Sequence, residues 1–191
     1  MSATADHRTI RVNRAPVLTL WATVVAERLG FERETALTLG RAVAGKSAQV
    51  KGRALGLYEP LHEPPSKAAE QLREPDDMLL VHLLGRTIPA VRTPEGVRAV
   101  AKDLRPTSAL SVKRYLESKF RDHLDEVWRA MERLATSLSP EELNQRGFGL
   151  YEAFRPAIPP GARGWGAAGE LDLNRIADLA RGDRHAKSLR Q

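Results

Sequence analysis

Apolar residues recur at three- and four-residue steps after Pro16, which is the period of one buried face of an α-helix. The residues in this series are Val17, Leu18, Trp21, Val24, Val25 and Leu29. Pro16 suits a first helical turn, where its missing N–H costs no hydrogen bond. Gly30 can adopt the positive φ that commonly ends a helix. The pattern therefore predicts a helix that ends at about Leu29.

A second helix is predicted directly after Gly30. Glu32 and Glu34 place negative charge at its start, where the helix dipole favours it. Its inward residues are predicted to be Ala36, Leu37, Leu39, Val43 and Val50. The spacing of Ala26 and Gly30 fits the Ala-x-x-x-Gly core of a helix-turn-helix, with Ala26 as the small residue at the crossing. Ordinary helical hairpins share this spacing.

Strand-like alternation occurs in two other places. Residues 8–12 alternate polar and apolar side chains, and Leu79–Leu84 with Ile88–Arg92 predicts a hairpin around Gly85. Pro89 restricts its strand to a sheet edge or a bulge, because proline has no N–H for the ladder. Residues 9–12 are expected to join the hairpin in one small sheet. Such a hairpin beside a helix-turn-helix is typical of a winged variant, with Arg86 and Arg92 as its contacts. The alternative is a hairpin that only closes the core and carries these arginines on its surface.

The second half of the chain is predicted to be helical. Thr93-Pro94 has the cap and first-turn proline of a helix that would end at Arg105-Pro106, with Val97 and Val100 inward. Ser139-Pro-Glu-Glu142 predicts a capping box and a helix to about Phe154. Asp172 is expected to cap a last helix over Leu173–Leu179, followed by a polar basic tail.

A single long helix is predicted from about Ser108 to Leu138. Its apolar seam comprises Val112, Leu116, Phe120, Leu124, Val127, Met131, Leu134 and Leu138, at steps of three and four residues. A central core helix explains this seam, and so does a homo-oligomer that pairs two chains through Val112–Leu138. The chain is therefore predicted to be mainly α, a helical bundle with an N-terminal helix-turn-helix-like pair and a small β hairpin.

Proline-rich residues 59–65 suggest a division into a helix-turn-helix-like region, 1–60, and a hairpin plus helical region, 61–191, packed together or separate. Residues 1–60 carry nine Lys and Arg against five Asp and Glu, and the whole chain has a formal charge of +6. Cysteine is absent, so thiol chemistry and disulfides are excluded. With no apolar run of membrane-spanning length and no signal peptide, the chain is expected to be cytoplasmic without a membrane partner.

The basic residues of the second helix predict DNA as the partner and a regulator as one role. No acidic residue lies between Glu34 and Glu59. Cationic side chains there would neutralise phosphates, and short polar ones would lie nearest the bases. The predicted contacts are Arg41, Lys46, Lys51 and Arg53 for phosphates, with Ser47 and Gln49 for bases. The alternative is a helical scaffold or protein-interaction protein without nucleic-acid binding.

Gly40–Ser47 also fits the phosphate-loop pattern G-x-x-x-x-G-K-[ST], a second alternative in which the chain binds a nucleotide. That loop follows a buried strand, whereas the preceding residues 31–39 are rich in charge. Evidence for an enzyme is otherwise weak. The five histidines are at least twenty residues apart, so no local metal motif exists, and no G-x-S-x-G elbow occurs. No catalytic residue, metal site or cofactor is predicted.

Overall fold

A computed structural model describes residues 8–54, 78–162 and 167–188 of the chain, and for 51–54 and 183–188 it describes the backbone alone. The architecture is mainly α-helical with two small antiparallel sheets. The proline-rich stretch 59–65 lies outside the described residues. In chain order the elements are β1 (Thr9–Val12), α1 (Arg14–Arg28), α2 (Arg33–Ala54), β2 (Met78–Leu83), β3 (Arg86–Thr93), β4 (Gly96–Ala99), α3 (Ala109–Phe120), α4 (Leu124–Thr136), α5 (Pro140–Phe154), β5 (Gly169–Asp172) and α6 (Leu173–Ser188).

Helices α1 and α2 are both present, as predicted, and cross closely at Gly40. Gly30 takes φ +106° in the turn between them, as its position after α1 predicts. A β-carbon on Gly40 would overlap the Thr23 hydroxyl and lie 2.5 Å from the Thr19 carbonyl oxygen of α1. Four of the five residues predicted to face inward are buried, whereas Val50 is 49% exposed, so that part of the prediction is wrong. Val50 lies towards the far end of α2, where the core no longer covers the helix.

The N-terminal half of α2 is bonded to strand β4 by side chains. The Thr35 hydroxyl donates to the Val97 carbonyl oxygen at 2.7 Å, and the Ala99 N–H donates to the Thr38 hydroxyl at 3.0 Å. Arg98 is buried and donates from Nη2 to Glu34 Oε2 at 2.6 Å. Because a buried cation without a partner is costly, this ion pair helps fix the start of α2 against the sheet.

The three-stranded sheet has the order β2-β3-β4, so β3 is the central strand. The prediction that Pro89 lies at an edge or a bulge is therefore wrong. Pro89 pairs with Leu80 on β2, and on its other side its carbonyl accepts from Val100 N, one residue beyond the end of the β3–β4 ladder. In an antiparallel strand the N–H and C=O of one residue point to the same side, so the missing N–H of Pro89 would face Val100. Val100 lies just beyond the β3–β4 ladder, so the proline removes no hydrogen bond of that ladder.

A turn replaces the helix that was predicted to start at Thr93. Residues Thr93 and Gly96 pair across a tight turn, Gly96 takes φ +123°, and β4 continues the sheet. The Thr93 hydroxyl donates to the Gly96 carbonyl oxygen at 2.7 Å instead of capping helical N–H groups. The β2–β3 hairpin itself is confirmed, and its turn residues Leu84 and Gly85 both have positive φ, as type I′ turns require.

Strand β1 pairs with β5, not with the hairpin, in an antiparallel register from Thr9 opposite Asp172 to Val12 opposite Gly169. The expectation of one sheet is thus wrong. Asp172 Oδ1 accepts from the N–H groups of Asn174 and Arg175, which confirms it as the cap of α6. Helix α6 extends to Ser188, well past the predicted end at Leu179.

The predicted long helix is broken into α3 and α4. Residues Arg121–His123 form a 3-10 turn, and Arg121 takes φ +50°, so the helical path changes direction after Phe120. All eight residues of the apolar seam are nevertheless buried in the core of this chain. The seam is therefore covered by the chain itself.

Helix α5 begins at the predicted capping box, since Ser139 Oγ accepts from Glu142 N while Glu142 Oε2 accepts from Ser139 N.

One cluster of buried apolar side chains links α1, α2, both sheets and α3 to α6. Within the described residues, no helix has both the length and the apolarity to cross a membrane.

Candidate nucleic-acid interface

Residues 40–47 lie inside helix α2, which runs from Arg33 to Ala54 without interruption. A phosphate loop would require an exposed turn after a strand, with free backbone N–H groups aimed at the ligand. Within a helix those groups bond instead to carbonyls four residues earlier. The conformation expected for a nucleotide-binding loop at Gly40–Ser47 is thus contradicted. Gly40 is explained by helix packing, and Gly45 has open space around it.

The predicted contact residues do not share one face of α2. At 100° per residue, Arg41 and Ser47 point about 120° apart. Arg41 is exposed and reaches α3, whereas Lys46, Ser47 and Gln49 are partly exposed. Lys51 and Arg53 belong to the last turns of α2, for which only the backbone is described. The structure therefore splits the predicted site between two neighbouring elements.

Ser47 is brought against the hairpin. Arg86 Nε donates to Ser47 Oγ at 3.3 Å, and the Arg86 guanidinium carbon lies 5.4 Å from the ring centroid of Phe148 in α5. A residue predicted as a hairpin contact thus meets one predicted as a helix contact. Arg92 does not join them, because six residues of extended strand separate it from Arg86 by roughly 20 Å.

Arg41 is held over an aromatic ring of α3. Its guanidinium carbon lies 4.3 Å from the ring centroid of Tyr115, and Lys119 Nζ lies 5.9 Å from the same centroid. Burial raises the pKa of the Tyr115 phenol above its ordinary value, and the positive charge of Arg41 opposes that rise only in part. Tyr115 therefore keeps its proton at neutral pH.

Sequence reasoning missed Tyr115, Lys119 and Phe148. Tyr115 and Lys119 are four residues apart and so lie on one side of α3, a pattern that the sequence does show. Nothing in the sequence places that side of α3 beside Arg41, since the packing of α2 on α3 joins residues more than seventy positions apart.

Four of the cations on or next to α2 form no ion pair with a carboxylate within the part of the chain that the structure describes. Arg8, Arg33, Arg98 and Lys113 each form an ion pair with a glutamate. Arg41, Lys46, Arg86 and Lys119 form none, and three of them contact aromatic rings instead. Aromatic contact orients a cation while leaving its charge intact. We call these four residues the uncompensated cations.

A second polar cluster lies near the turn between α1 and α2. Arg33 Nε donates to Glu27 Oε2 at 3.2 Å, and its guanidinium carbon lies 4.6 Å from the Trp128 ring centroid. Glu27 Oε1 and Trp128 Nε1 are buried and have no hydrogen-bond partner among the described residues. Burial raises the pKa of Glu27, Arg33 opposes this, and Glu132 adds to it.

We expect Glu27 to make stability fall as pH rises above its ordinary pKa of 4.5. A raised folded-state pKa means that the folded chain holds this proton where the unfolded chain has released it. The contribution of Glu27 is therefore fully present below the unfolded pKa and is lost as pH rises through the folded one. In urea unfolding from about pH 4 to 7, Glu27→Gln should gain stability relative to the natural chain as pH increases. A pH-independent difference would contradict this.

A cleft of about 630 Å³ runs along the C-terminal half of α4 next to Glu132. Its lining residues are Arg129, Glu132, Arg133, Thr136 and Ser137. The hydroxyls of Thr136 and Ser137 donate to carbonyl oxygens of their own helix. No group of three or more His, Asp or Glu side chains in the described ranges is placed to hold a metal ion.

Comparisons with protein-family models, with curated proteins and with solved structures found no match to this chain. The functional assignment therefore depends on the geometry and charge of the described residues.

Proposed function

We propose that this chain binds DNA through residues 41–53 of α2 and the β2–β3 hairpin. In this proposal α1 and α2 act as a helix-turn-helix-like pair, with Gly30 in the turn and Gly40 at the crossing. The Arg86–Ser47 contact carries the proposal, because it brings a hairpin arginine to the helix whose residues were predicted to meet DNA.

The electrostatics of α2 supports a polyanionic partner. Beyond Glu34 the helix has no acidic residue, and the uncompensated cations Arg41 and Lys46 belong to it. Each cation that replaces a counterion on duplex DNA contributes about 0.9 to the slope of log K against log salt. Lys51 and Arg53 extend the same basic sequence, and we include them among the proposed phosphate contacts, with Ser47 and Gln49 nearest the bases.

The proposal is tested by salt titration of binding to a random-sequence duplex, followed by fluorescence anisotropy. Lys46→Ala and Arg86→Ala should each lower the slope of log K against log salt by about one unit. Lys113→Ala is the matched control, because Lys113 is a helical lysine already paired with Glu117 at 4.0 Å. Absence of binding at low salt, or the same slope in Lys46→Ala as in the natural chain, would refute the proposal.

Protein interaction is the second candidate, and one observation favours it. Among the described strands, β2 is at the edge of its sheet, and Leu80 on it is 68% exposed. Exposed edge strands with apolar side chains are common sites of pairing with another chain. If the chain does not bind the duplex at low salt, protein interaction through this edge becomes the favoured function.

A further inference from the structure

Two positive side chains converge on one ring of α3. Arg41 comes from α2 and Lys119 from the next turn of α3, and both charged groups lie within 6 Å of the Tyr115 ring centroid. Both residues are exposed, so water and solutes reach them. The arrangement is local and is built from two packed helices.

No carboxylate offsets this pair of charges. The nearby acidic residue of α3, Glu117, is paired with Lys113, and neither Arg41 nor Lys119 forms an ion pair with any residue that the structure describes. Two positive charges beside one ring repel each other, and contact with the ring offsets only part of that cost. An anion in contact with both would offset this repulsion.

Tyr115 adds a neutral donor to the two charged ones. The phenol is half-buried and protonated, and its oxygen accepts a side-chain hydrogen bond from Arg41, which leaves its own O–H as a donor. A guanidinium has five N–H donors, so those of Arg41 that do not bond to Tyr115 remain available for a ligand. A guanidinium edge, an ammonium and a phenol O–H together provide donors for several oxygens, which suits the tetrahedral phosphate group.

We propose that Arg41, Tyr115 and Lys119 form a binding site for one phosphate group. The group is a backbone phosphodiester if the partner is DNA, in which case this inference rests on the proposed function and extends the interface from α2 to α3. A free phosphate or diphosphate presents the same oxygens, and the experiment separates these two sources.

The roles of the three residues predict different effects on duplex binding. Lys119→Ala and Arg41→Ala should each lower the salt slope by about one unit, because each removes a charge that displaces a counterion. Tyr115→Phe keeps the ring and removes only the O–H. It should weaken binding about fivefold at fixed salt without changing the slope, since a neutral donor releases no counterion.

Controls separate a local effect from loss of folding. Because Arg41 and Lys119 are exposed, thermal unfolding of both variants should match that of Lys113→Ala. If Lys46→Ala lowers the slope while Arg41→Ala and Lys119→Ala leave it unchanged, the phosphate site is refuted and the proposed function stands.

If duplex binding is absent altogether, the proposed function fails and titration with inorganic pyrophosphate tests the site by itself. Binding detected by calorimetry that is lost in Lys119→Ala, and retained in Lys113→Ala, would support a site for a free phosphorylated ligand. Equal binding by both variants, or none by the natural chain, would refute the site.

Discussion

Replacing Gly40 with alanine is expected to destabilise the fold by about 1–3 kcal/mol, the usual cost of overpacking a tight contact. The added β-carbon would overlap the Thr23 hydroxyl and lie 2.5 Å from the Thr19 carbonyl oxygen and 3.0 Å from the Thr23 nitrogen. Two of these three atoms belong to the α1 backbone, so no side-chain rotation relieves the clash.

An opposite effect competes with this clash. Alanine in a helix interior is favoured over glycine by about 0.5–1 kcal/mol, because glycine loses more backbone freedom on folding. At Gly40 the backbone clash outweighs this preference for alanine, since relief requires α1 and α2 to move apart along a buried interface.

Gly45→Ala is the matched control, five residues further along the same helix. A β-carbon at Gly45 would meet nothing within 4 Å, so only the helix preference remains. Its variant should gain about 0.5–1 kcal/mol in urea unfolding while Gly40→Ala loses stability. Equal shifts at the two positions would contradict the close crossing at Gly40.

Local signals were sufficient to predict several helices. The capping box at Ser139, the glycine after α1 and the cap at Asp172 each depend on hydrogen bonds or backbone angles within a few residues, and all three are present. The β2–β3 hairpin was predicted for the same reason. These features need no knowledge of distant partners.

Non-local and ambiguous signals account for the errors. Nothing in residues 9–12 indicates that their partner strand lies about 160 residues away. Thr93-Pro-Glu-Gly suits both a helix start and a two-residue turn. The turn forms because Gly96 can take φ +123° and because β4 then pairs with β3. Phe120 and Leu124 keep a four-residue step across the break at Arg121, so periodicity does not reveal that break.

The candidate site shows the same division. Basic positions in α2 could be predicted from sequence, but the partner of each side chain could not. Ser47 was expected near bases, and it accepts a hydrogen bond from Arg86. Arg41 was expected to face the same partner, and it stacks on Tyr115 of α3. Both outcomes depend on how the sheet and α3 pack against α2.

Truncation of Trp21 to alanine is expected to have the largest effect on stability, about 3–5 kcal/mol. Trp21 is fully buried, and its ring meets Phe154 edge-on with centroids 5.3 Å apart. Its Nε1 donates to the Gly147 carbonyl oxygen at 2.8 Å. The variant would lose this bond and leave a cavity between α1 and α5.

Phenylalanine substitutions separate the bond from the cavity. Trp21→Phe keeps much of the ring but removes the donor to Gly147, so we expect a loss of about 1–3 kcal/mol. Trp128→Phe is the matched control, because Trp128 Nε1 is buried without a partner among the described residues. Removing an unsatisfied donor relieves a desolvation penalty, which offsets part of the packing lost against Arg33.

Urea unfolding should therefore rank the variants as Trp21→Ala, Trp21→Phe and Trp128→Phe, from the largest loss to the smallest. Near-equal losses for the two phenylalanine variants would mean that the Trp21–Gly147 bond adds nothing beyond packing. The position of α5 on α1 would then depend on apolar contacts such as Trp21–Phe154, and the carbonyl of Gly147, which also accepts within its own helix, would need no second donor.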